Sequence, residues 1–259
     1  MLKIHTANGI ATVTLARPDV RNAFNSQLIA DIHAAYTHLG VDPAVRCIVL
    51  QAEGKAFCAG ADLNWMRAMA DYSFAENEAD AQQLATMLHA IYACPKPTLA
   101  SVQGDAFAGG LGLVAACDVA VGIASARFCI SEVKLGLIPG TIAPYLVRAI
   151  GARAAHRYTL TAEVFSAATA QQLGLLHEVA QDEAALGAQI ARWCANFCAA
   201  SPQALSDAKR LLNEVAYVEN NAALRTHTAN YIAHSRASQD GKAGVQAFLS
   251  KTPAPWALN

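Results

Sequence analysis

Strand-like and helix-like patterns alternate through the first half of this chain of 259 residues, and this alternation most constrains its fold. Polarity alternates on either side of Asn8-Gly9, which predicts a β-hairpin with a type I′ turn. An amphipathic helix pattern follows the cap residue Asn25, and a β-rich run covers 46–51. Strand and helix patterns then take turns to about residue 130, which indicates an α/β protein of stacked βα units.

From about residue 142 onward the pattern is helical only. Ser201-Pro202 provides an N-cap and a first-turn proline for one helix, and Val245, Phe248 and Leu249 fall in the last helix. We therefore predict an α/β core over residues 1–195. A helical C-terminal region over 196–259 would pack on this core or on a neighbouring subunit.

The composition allows a sizeable core and excludes some classes of partner. The chain is 54% hydrophobic and 15% charged, and its net charge is −1, so it lacks the basic footprint of a nucleic-acid binder. No apolar run reaches the roughly 18 residues of a membrane span, and no targeting segment is visible. Seven cysteines without a Cys-x-x-Cys pair indicate buried thiols rather than disulfides or zinc ligands. We expect a soluble cytoplasmic protein without a metal site.

Two segments rich in small residues each follow a strand pattern. In residues 55–63, Gly60 and its alanine neighbours would let a ligand approach the backbone, although an ordinary tight turn fits as well. Residues 102–113 run from a strand through Gly109-Gly110 into a helix, whose N-terminus favours negative charge. This segment is neither Gly-x-Gly-x-x-Gly nor a P-loop, and its glycines could instead serve close helix packing.

A third segment, residues 128–140, carries one acid in apolar surroundings. Burial there would raise the pKa of Glu132 and suit it to proton transfer near neutral pH. The alternative is a surface glutamate that pairs with Lys134 or caps a helix.

Together these segments resemble the crotonase, or enoyl-CoA hydratase/isomerase, superfamily. The resemblance covers nearly the whole chain and includes four motifs in order. They are Arg17-Pro18 with 21–24, then 57–63, then Gly109-Gly110 with Cys117-Asp118, and finally Ser131-Glu132 through Pro139-Gly140. The resemblance implies a spiral core of stacked ββα turns with a helical C-terminal region. It also implies a homotrimer or a dimer of trimers.

The resemblance further implies a site for an acyl-CoA thioester, which is a substrate rather than a cofactor. The backbone N–H groups of Ala61 and Gly109 would hold the thioester oxygen, with Glu132 as the catalytic acid/base. The substrate-binding residues implied in this way are Val20, Arg21, Ala23, Ala59, Gly60, Asp62, Leu63, Gly110, Gly112, Pro139, Gly140, Phe248 and Lys251. Arg21 would face a phosphate, and the last two residues would reach the nucleotide end, in some relatives from an adjacent subunit.

One departure from the family pattern limits the interpretation. Simple enoyl-CoA hydratases have two glutamates, whereas this chain has Gly112 at the first position, so that only Glu132 remains. We expect a hydratase similar to bacterial methylglutaconyl-CoA hydratase-like proteins, or a double-bond isomerase, or another enolate chemistry. Asp105 or Tyr145 could assist, although a turn and helix packing explain them equally well. If space permits, Gly112→Glu should raise crotonyl-CoA hydration.

A non-enzymatic acyl-CoA-binding or RNA-binding relative is the alternative of another class. Because the first glutamate is absent, a catalytically inactive acyl-CoA binder stays an alternative. The near-neutral charge argues against RNA, because phosphate contacts require clustered lysine and arginine.

Overall fold

A computed structural model describes residues 1–257, which form ten α-helices and ten β-strands. The strands are β1 Leu2–Ala7, β2 Ile10–Leu15, β3 Cys47–Ala52, β4 Ala56–Cys58, β5 Thr98–Val102, β6 Asp105–Phe107, β7 Val119–Ile123, β8 Arg127–Cys129, β9 Phe165–Ser166 and β10 Glu178–Ala180. The helices are α1 Ser26–Val41, α2 Leu63–Met69, α3 Phe74–Tyr92, α4 Gly109–Ala116, α5 Ala143–Thr161, α6 Ala167–Leu173, α7 Glu183–Cys198, α8 Pro202–Val215, α9 Ala222–Ala237 and α10 Gln239–Ser250. Short 3-10 helices cover Pro18–Val20 and Glu132–Leu135.

The strands form two sheets that the chain visits alternately. The six-stranded sheet has the order β1-β2-β3-β5-β7-β10, and the four-stranded sheet has the order β4-β6-β8-β9. From β3 to α5, three successive turns each add one strand to the first sheet, one to the second and then a helical segment. All pairs are parallel except β1 with β2 and β8 with β9. The predicted spiral of stacked ββα turns is confirmed.

Local sequence signals place the first elements where they were predicted. Strands β1 and β2 pair antiparallel around Asn8 and Gly9, whose φ angles of 53° and 78° fit a type I′ turn. The side chain of Asn25 accepts a hydrogen bond from the backbone N–H of Leu28 and caps α1. Apolar side chains of α1 then pack against α3 and the sheets in one continuous core.

The second half of the chain is not purely helical, which corrects the prediction made from its pattern. Strand β9 has two residues and extends the smaller sheet, while β10 has three and extends the larger one. Strands this short pair with an existing sheet edge and leave no periodic pattern of their own. The predicted boundary at residue 195 falls within α7, and the division into two parts stays a prediction.

The helices after residue 200 pack mainly on one another. The side chain of Ser201 caps α8, and Lys209 on that helix forms a 2.7 Å ion pair with Asp118, the residue before β7. Several large apolar side chains of α10 are exposed, including Phe248. Among the described helices, none combines the length and the apolar character that a membrane span requires.

Candidate active site

The three segments singled out in the sequence meet at one edge of the smaller sheet. Strands β4, β6 and β8 are parallel neighbours, and the chain leaves them at residues 59, 108 and 130. The carboxyl ends of parallel neighbours lie side by side, so the turns that follow them adjoin. A Cβ on Gly60 would lie 3.0 Å from the Ala108 Cβ and 3.9 Å from the Gly109 nitrogen.

Two backbone N–H groups at this edge lack a protein acceptor within residues 1–257. Phe24 donates to the Gly60 carbonyl and accepts from the Asp62 N–H, both at 2.7 Å. Because successive N–H groups of extended backbone point to opposite sides, the N–H of Ala61 faces away from Phe24. Gly109 is the first residue of α4, so its N–H has no acceptor within the helix and lies at the positive end of the helix dipole.

The turn before α4 has an unusual backbone conformation. Ala108 has φ 48° and ψ −123°, a region that favours glycine, and its N–H donates to the Cys129 carbonyl at 2.9 Å. The next glycines permit close packing, since a Cβ on Gly110 would lie 2.4 Å from the Cys58 carbonyl oxygen. The strained turn and the packing against β4 together fix the direction of the Gly109 N–H.

The early Arg-Asn motif lies beside the first of these turns and holds it in place. Asn22 is fully buried and has a left-handed φ of 55°, which asparagine tolerates well. Its side-chain amide donates to the carbonyls of Glu53 and Ala56, both at 2.8 Å. The N–H of Ala59 donates to the Arg21 carbonyl at 3.0 Å, so residues 21–24 run alongside 59–62.

A buried ion pair links the same two segments. The Arg17 guanidinium lies 2.8 Å from the Asp62 carboxylate and also donates to the Ala23 carbonyl. The pKa of Asp62 stays below its ordinary value despite burial. The hydrogen bond from the Asn64 N–H lowers this pKa most, and Arg17 lowers it further. Asp62 and Ala23, both predicted as substrate-binding residues, therefore tie the loops together and do not line the cavity described below.

Glu132 begins the short 3-10 helix that follows β8. One oxygen of its carboxyl group, Oε2, is buried and has no hydrogen-bond partner within residues 1–257. Burial raises the pKa of Glu132, and hydrogen bonds from the N–H groups of Glu132 and Ser131 only partly offset this effect. The carboxyl group can therefore exchange a proton closer to neutral pH than an exposed glutamate can.

A cavity of about 600 Å³ joins Ala61, Gly109 and Glu132. This volume lies in the range of small-molecule sites, and the lining is mostly apolar. Of the predicted site residues, those that line it are Ala59, Ala61, Leu63, Gly109, Glu132, Pro139 and Gly140. An amide pair, a carboxyl group and apolar walls suit a substrate that gains negative charge on a carbonyl oxygen.

Gly112 lies outside this lining, because another side chain occupies its space. A Cβ on Gly112 would lie 2.3 Å from Cγ2 and 3.0 Å from Cβ of Ile142, and Ile142 itself lines the cavity. The predicted gain in hydration for Gly112→Glu required free space, and Ile142 fills that space when Gly112 alone is substituted. Hydrocarbon from the segment before α5 thus fills the space where the family resemblance implies a carboxylate.

A second cavity of about 470 Å³ adjoins the first and shares Ala59 with it. Arg21 and Lys55 line it, and neither forms a salt bridge within residues 1–257. Asp105 and Arg127 also line this second cavity and pair with each other at 2.6 Å. The two free cations make this cavity suitable for an anionic group.

Other predicted residues lie near the cavities or far from them. Val20, Ala23, Gly60, Asp62, Gly110 and Gly112 support the surrounding backbone without lining either cavity. Phe248 and Lys251 lie at the end of α10, which packs on α8 and α9, and contribute to neither cavity within one chain. Of the possible helpers, Asp105 is paired with Arg127, and the ring of Tyr145 packs 5.5 Å from that of Tyr92.

Most of the helical wall of the main cavity was not predicted from the sequence. Trp65 and Met69 on α2, and Asp80 and Leu84 on α3, line it. Each pair has the spacing i, i+4 of neighbours on one helix face. That spacing could have predicted that each pair lies on one face of its helix. It could not have predicted that both faces line the main cavity.

Comparison with known proteins agrees with this fold. An enoyl-CoA hydratase of Shewanella pealeana has a solved structure with TM-score 0.96 and 39% identity, covering 98% of this chain and 95% of that one. An enoyl-CoA hydratase of Mycobacterium smegmatis gives TM-score 0.92 and 33% identity over 99% of both chains. The crotonyl-CoA hydratase of Syntrophomonas wolfei is 30% identical over 95% of this chain and 93% of its own length.

The fold is thus that of the crotonases. The sequence profile of the enoyl-CoA hydratase/isomerase family matches residues 5–259, and the chain belongs to this family. It is therefore an enzyme of a family whose substrates are CoA thioesters.

Proposed function

We propose that this chain catalyses the hydration of an enoyl-CoA. The N–H groups of Ala61 and Gly109 would bind the thioester oxygen, and Glu132 would act as the single acid/base. The supporting observation is that Ala61 and Gly109, which carry these unpaired N–H groups, line the same cavity as Glu132, whose Oε2 is buried without a partner within residues 1–257. The phosphates of CoA would lie in the adjoining cavity with Arg21 and Lys55.

In this proposal one carboxyl group handles both proton transfers. The carboxylate of Glu132 takes a proton from water as the water oxygen bonds to C3, and the π electrons shift to the thioester oxygen. Ala61 and Gly109 hold that oxyanion, and one such donor typically contributes about 3 kcal/mol to transition-state stabilisation. Glu132 then returns the proton to C2, and the carbonyl re-forms.

The acyl group that we propose is branched, with methylglutaconyl-CoA as the leading candidate. Residues 57–66 and 131–139 support it through their resemblance to methylglutaconyl-CoA hydratase-like proteins. We also propose a trimer or a dimer of trimers, in which Phe248 and Lys251 reach the CoA of a neighbouring subunit. The exposed apolar residues of α10 support such an assembly. A cytoplasmic location stays a prediction from the sequence.

A second candidate is the isomerisation of a 3-enoyl-CoA to a 2-enoyl-CoA. The filling of the Gly112 position by Ile142 favours it, because isomerisation requires one carboxylate and no bound water. Glu132 would take a proton from C2 and return it to C4.

The test is turnover of crotonyl-, 3-enoyl- and methylglutaconyl-CoA, with products identified by mass spectrometry. Glu132→Gln should lower kcat by at least about 10²-fold, the usual scale for loss of a general acid/base. The matched control is Glu163→Gln, which removes an exposed carboxylate paired with Arg157 and should leave kcat unchanged. A Glu132→Gln enzyme that keeps its activity would refute the proposed role.

A further inference from the structure

A second carboxyl group lines the main cavity, on the wall formed by α2 and α3. Asp80 is half-buried, and its Oδ1 accepts a hydrogen bond of 3.1 Å from the indole Nε1 of Trp65. Trp65 is only 9% exposed, so its ring holds the carboxyl group in one orientation. Within residues 1–257, Asp80 forms no salt bridge.

Asp80 and Glu132 lie on different elements of the cavity wall, Asp80 on α3 and Glu132 in the 3-10 helix after β8. Burial raises the pKa of Asp80 and of Glu132, and neither carboxyl contributes to the shift of the other. In the proposed function the thioester lies at Ala61, Gly109 and Glu132, so a group on the wall formed by α2 and α3 would contact the acyl chain.

The wall formed by α2 and α3 is otherwise mostly apolar, with Met66, Met69 and Leu84, and Asn77 adds a second polar side chain. A plain alkyl chain packed here would displace water from Asp80 and supply no hydrogen bond in return. A buried polar group that loses its partner costs about 1–3 kcal/mol. An acyl chain that carries its own oxygen would replace the hydrogen bond of the lost water. The wall would therefore disfavour plain alkyl chains and accept acyl chains with a terminal oxygen.

We propose that Asp80 is a specificity-determining residue that favours enoyl thioesters whose acyl chain ends in a hydroxyl or carboxyl group. A hydroxyl would donate to Oδ2, whereas a terminal carboxylate would bind together with one proton taken up from solvent, which the two carboxyl groups then share in an O–H···O⁻ bond. This inference rests on the proposed hydratase function and names the class of acyl group that the same site takes.

The experiment compares three CoA thioesters with five-carbon acyl chains of similar size. Pent-2-enoyl-CoA ends in a methyl group, 5-hydroxypent-2-enoyl-CoA in a hydroxyl, and glutaconyl-CoA in a carboxylate. We expect the wild type to prefer one oxygenated substrate over pent-2-enoyl-CoA by about tenfold or more in kcat/KM. The preferred substrate shows whether the site favours an acyl chain that ends in a hydroxyl or one that ends in a carboxylate.

Two substitutions at Asp80 then separate specificity from other roles. Asp80→Leu should abolish or reverse the preference, mainly by raising kcat/KM for the alkyl substrate. Asp80→Asn, which keeps a hydrogen-bonding group of the same shape, should retain most of it. If Asp80→Leu fails to fold, Trp65→Phe removes only the N–H that orients Asp80 and should lower the preference several-fold.

A preference that Asp80→Leu leaves unchanged would overturn the inference. Equal losses on all three substrates would also overturn it, because they would indicate a catalytic or purely structural role. A wild type that hydrates neither these three thioesters nor crotonyl- or methylglutaconyl-CoA would instead refute the proposed function. If Glu132→Gln abolishes activity while substitutions of Asp80 leave the ratio of kcat/KM values between the substrates unchanged, only the specificity role is refuted.

Discussion

The contact between Gly112 and Ile142 can be tested by a double-mutant cycle. A Cβ at residue 112 would lie 2.3 Å from Ile142 Cγ2 and 3.5 Å from Leu88 Cδ2, and Ile142 is only 1% exposed. Overpacking of this kind costs about 1–3 kcal/mol. A buried carboxyl group without partners adds about 1–3 kcal/mol. Gly112→Glu should therefore lower the free energy of unfolding by roughly 2–6 kcal/mol.

The second substitution, Ile142→Ala, removes the side-chain atoms that fill this space. Alone it should cost about 2–5 kcal/mol, because it leaves a cavity. In the double variant the glutamate occupies the vacated space, so the two costs should not add. We expect a favourable coupling energy of at least about 1 kcal/mol.

Urea denaturation followed by circular dichroism measures the four unfolding free energies of the cycle. Gly112→Ala combined with Ile142→Ala is the matched control, since it makes a similar exchange without a carboxylate. Because Ile142 lines the cavity, the double variant with glutamate should also hydrate crotonyl-CoA faster than this control. Additive costs of the two single substitutions would refute the reasoning.

Three further predictions concern stability. Ala108→Gly should raise the free energy of unfolding in urea by about 1 kcal/mol, because it relieves the backbone strain at φ 48°; no gain would contradict the strain. Asp62→Ala should lower the free energy of unfolding by roughly 3 kcal/mol at neutral pH, because Arg17 loses its partner in a largely buried site. The control Glu163→Ala, which breaks an exposed ion pair, should cost less than about 1 kcal/mol. The pKa of Asp62 is lowered in the folded state, so this loss should shrink as the pH falls through that pKa. The pKa of Glu132 is raised, so its ionisation destabilises the fold as the pH rises through that value. Thermal melts of Glu132→Gln should therefore show a gain over the wild type near neutral pH that vanishes in acid, and a constant difference would contradict the sign.

Local signals were sufficient for much of the fold and for the backbone of the site. The turn at Asn8-Gly9 and the cap at Asn25 depend on residues within a few positions of each other, and both form as predicted. The segments around Gly60, Gly109 and Glu132 each follow a strand. Parallel pairing of those strands then brings the segments together without any further information from side chains.

Contacts between distant segments could not be predicted in the same way. Ile142 fills the space beside Gly112 from thirty positions away, and the indole of Trp65 reaches Asp80 between two helices. Such contacts depend on how the helices pack. Helix packing depends on how all core side chains fit together, and local patterns in a single sequence do not show this fit. Strands β9 and β10 were missed for a similar reason, since sheet edges formed by other segments make them extended.

A single carboxyl group also predicts the stereochemistry of hydration. If Glu132 takes the proton of the attacking water and returns a proton to C2, both new bonds form on the face of the alkene that Glu132 occupies. The addition is then syn, since the backbone N–H groups of Ala61 and Gly109 keep the thioester from turning over between the two steps. Hydration of crotonyl-CoA in D₂O, with the relative configuration at C2 and C3 determined by NMR, measures this. Anti addition would require a second acid on the opposite face and would refute a mechanism with Glu132 alone.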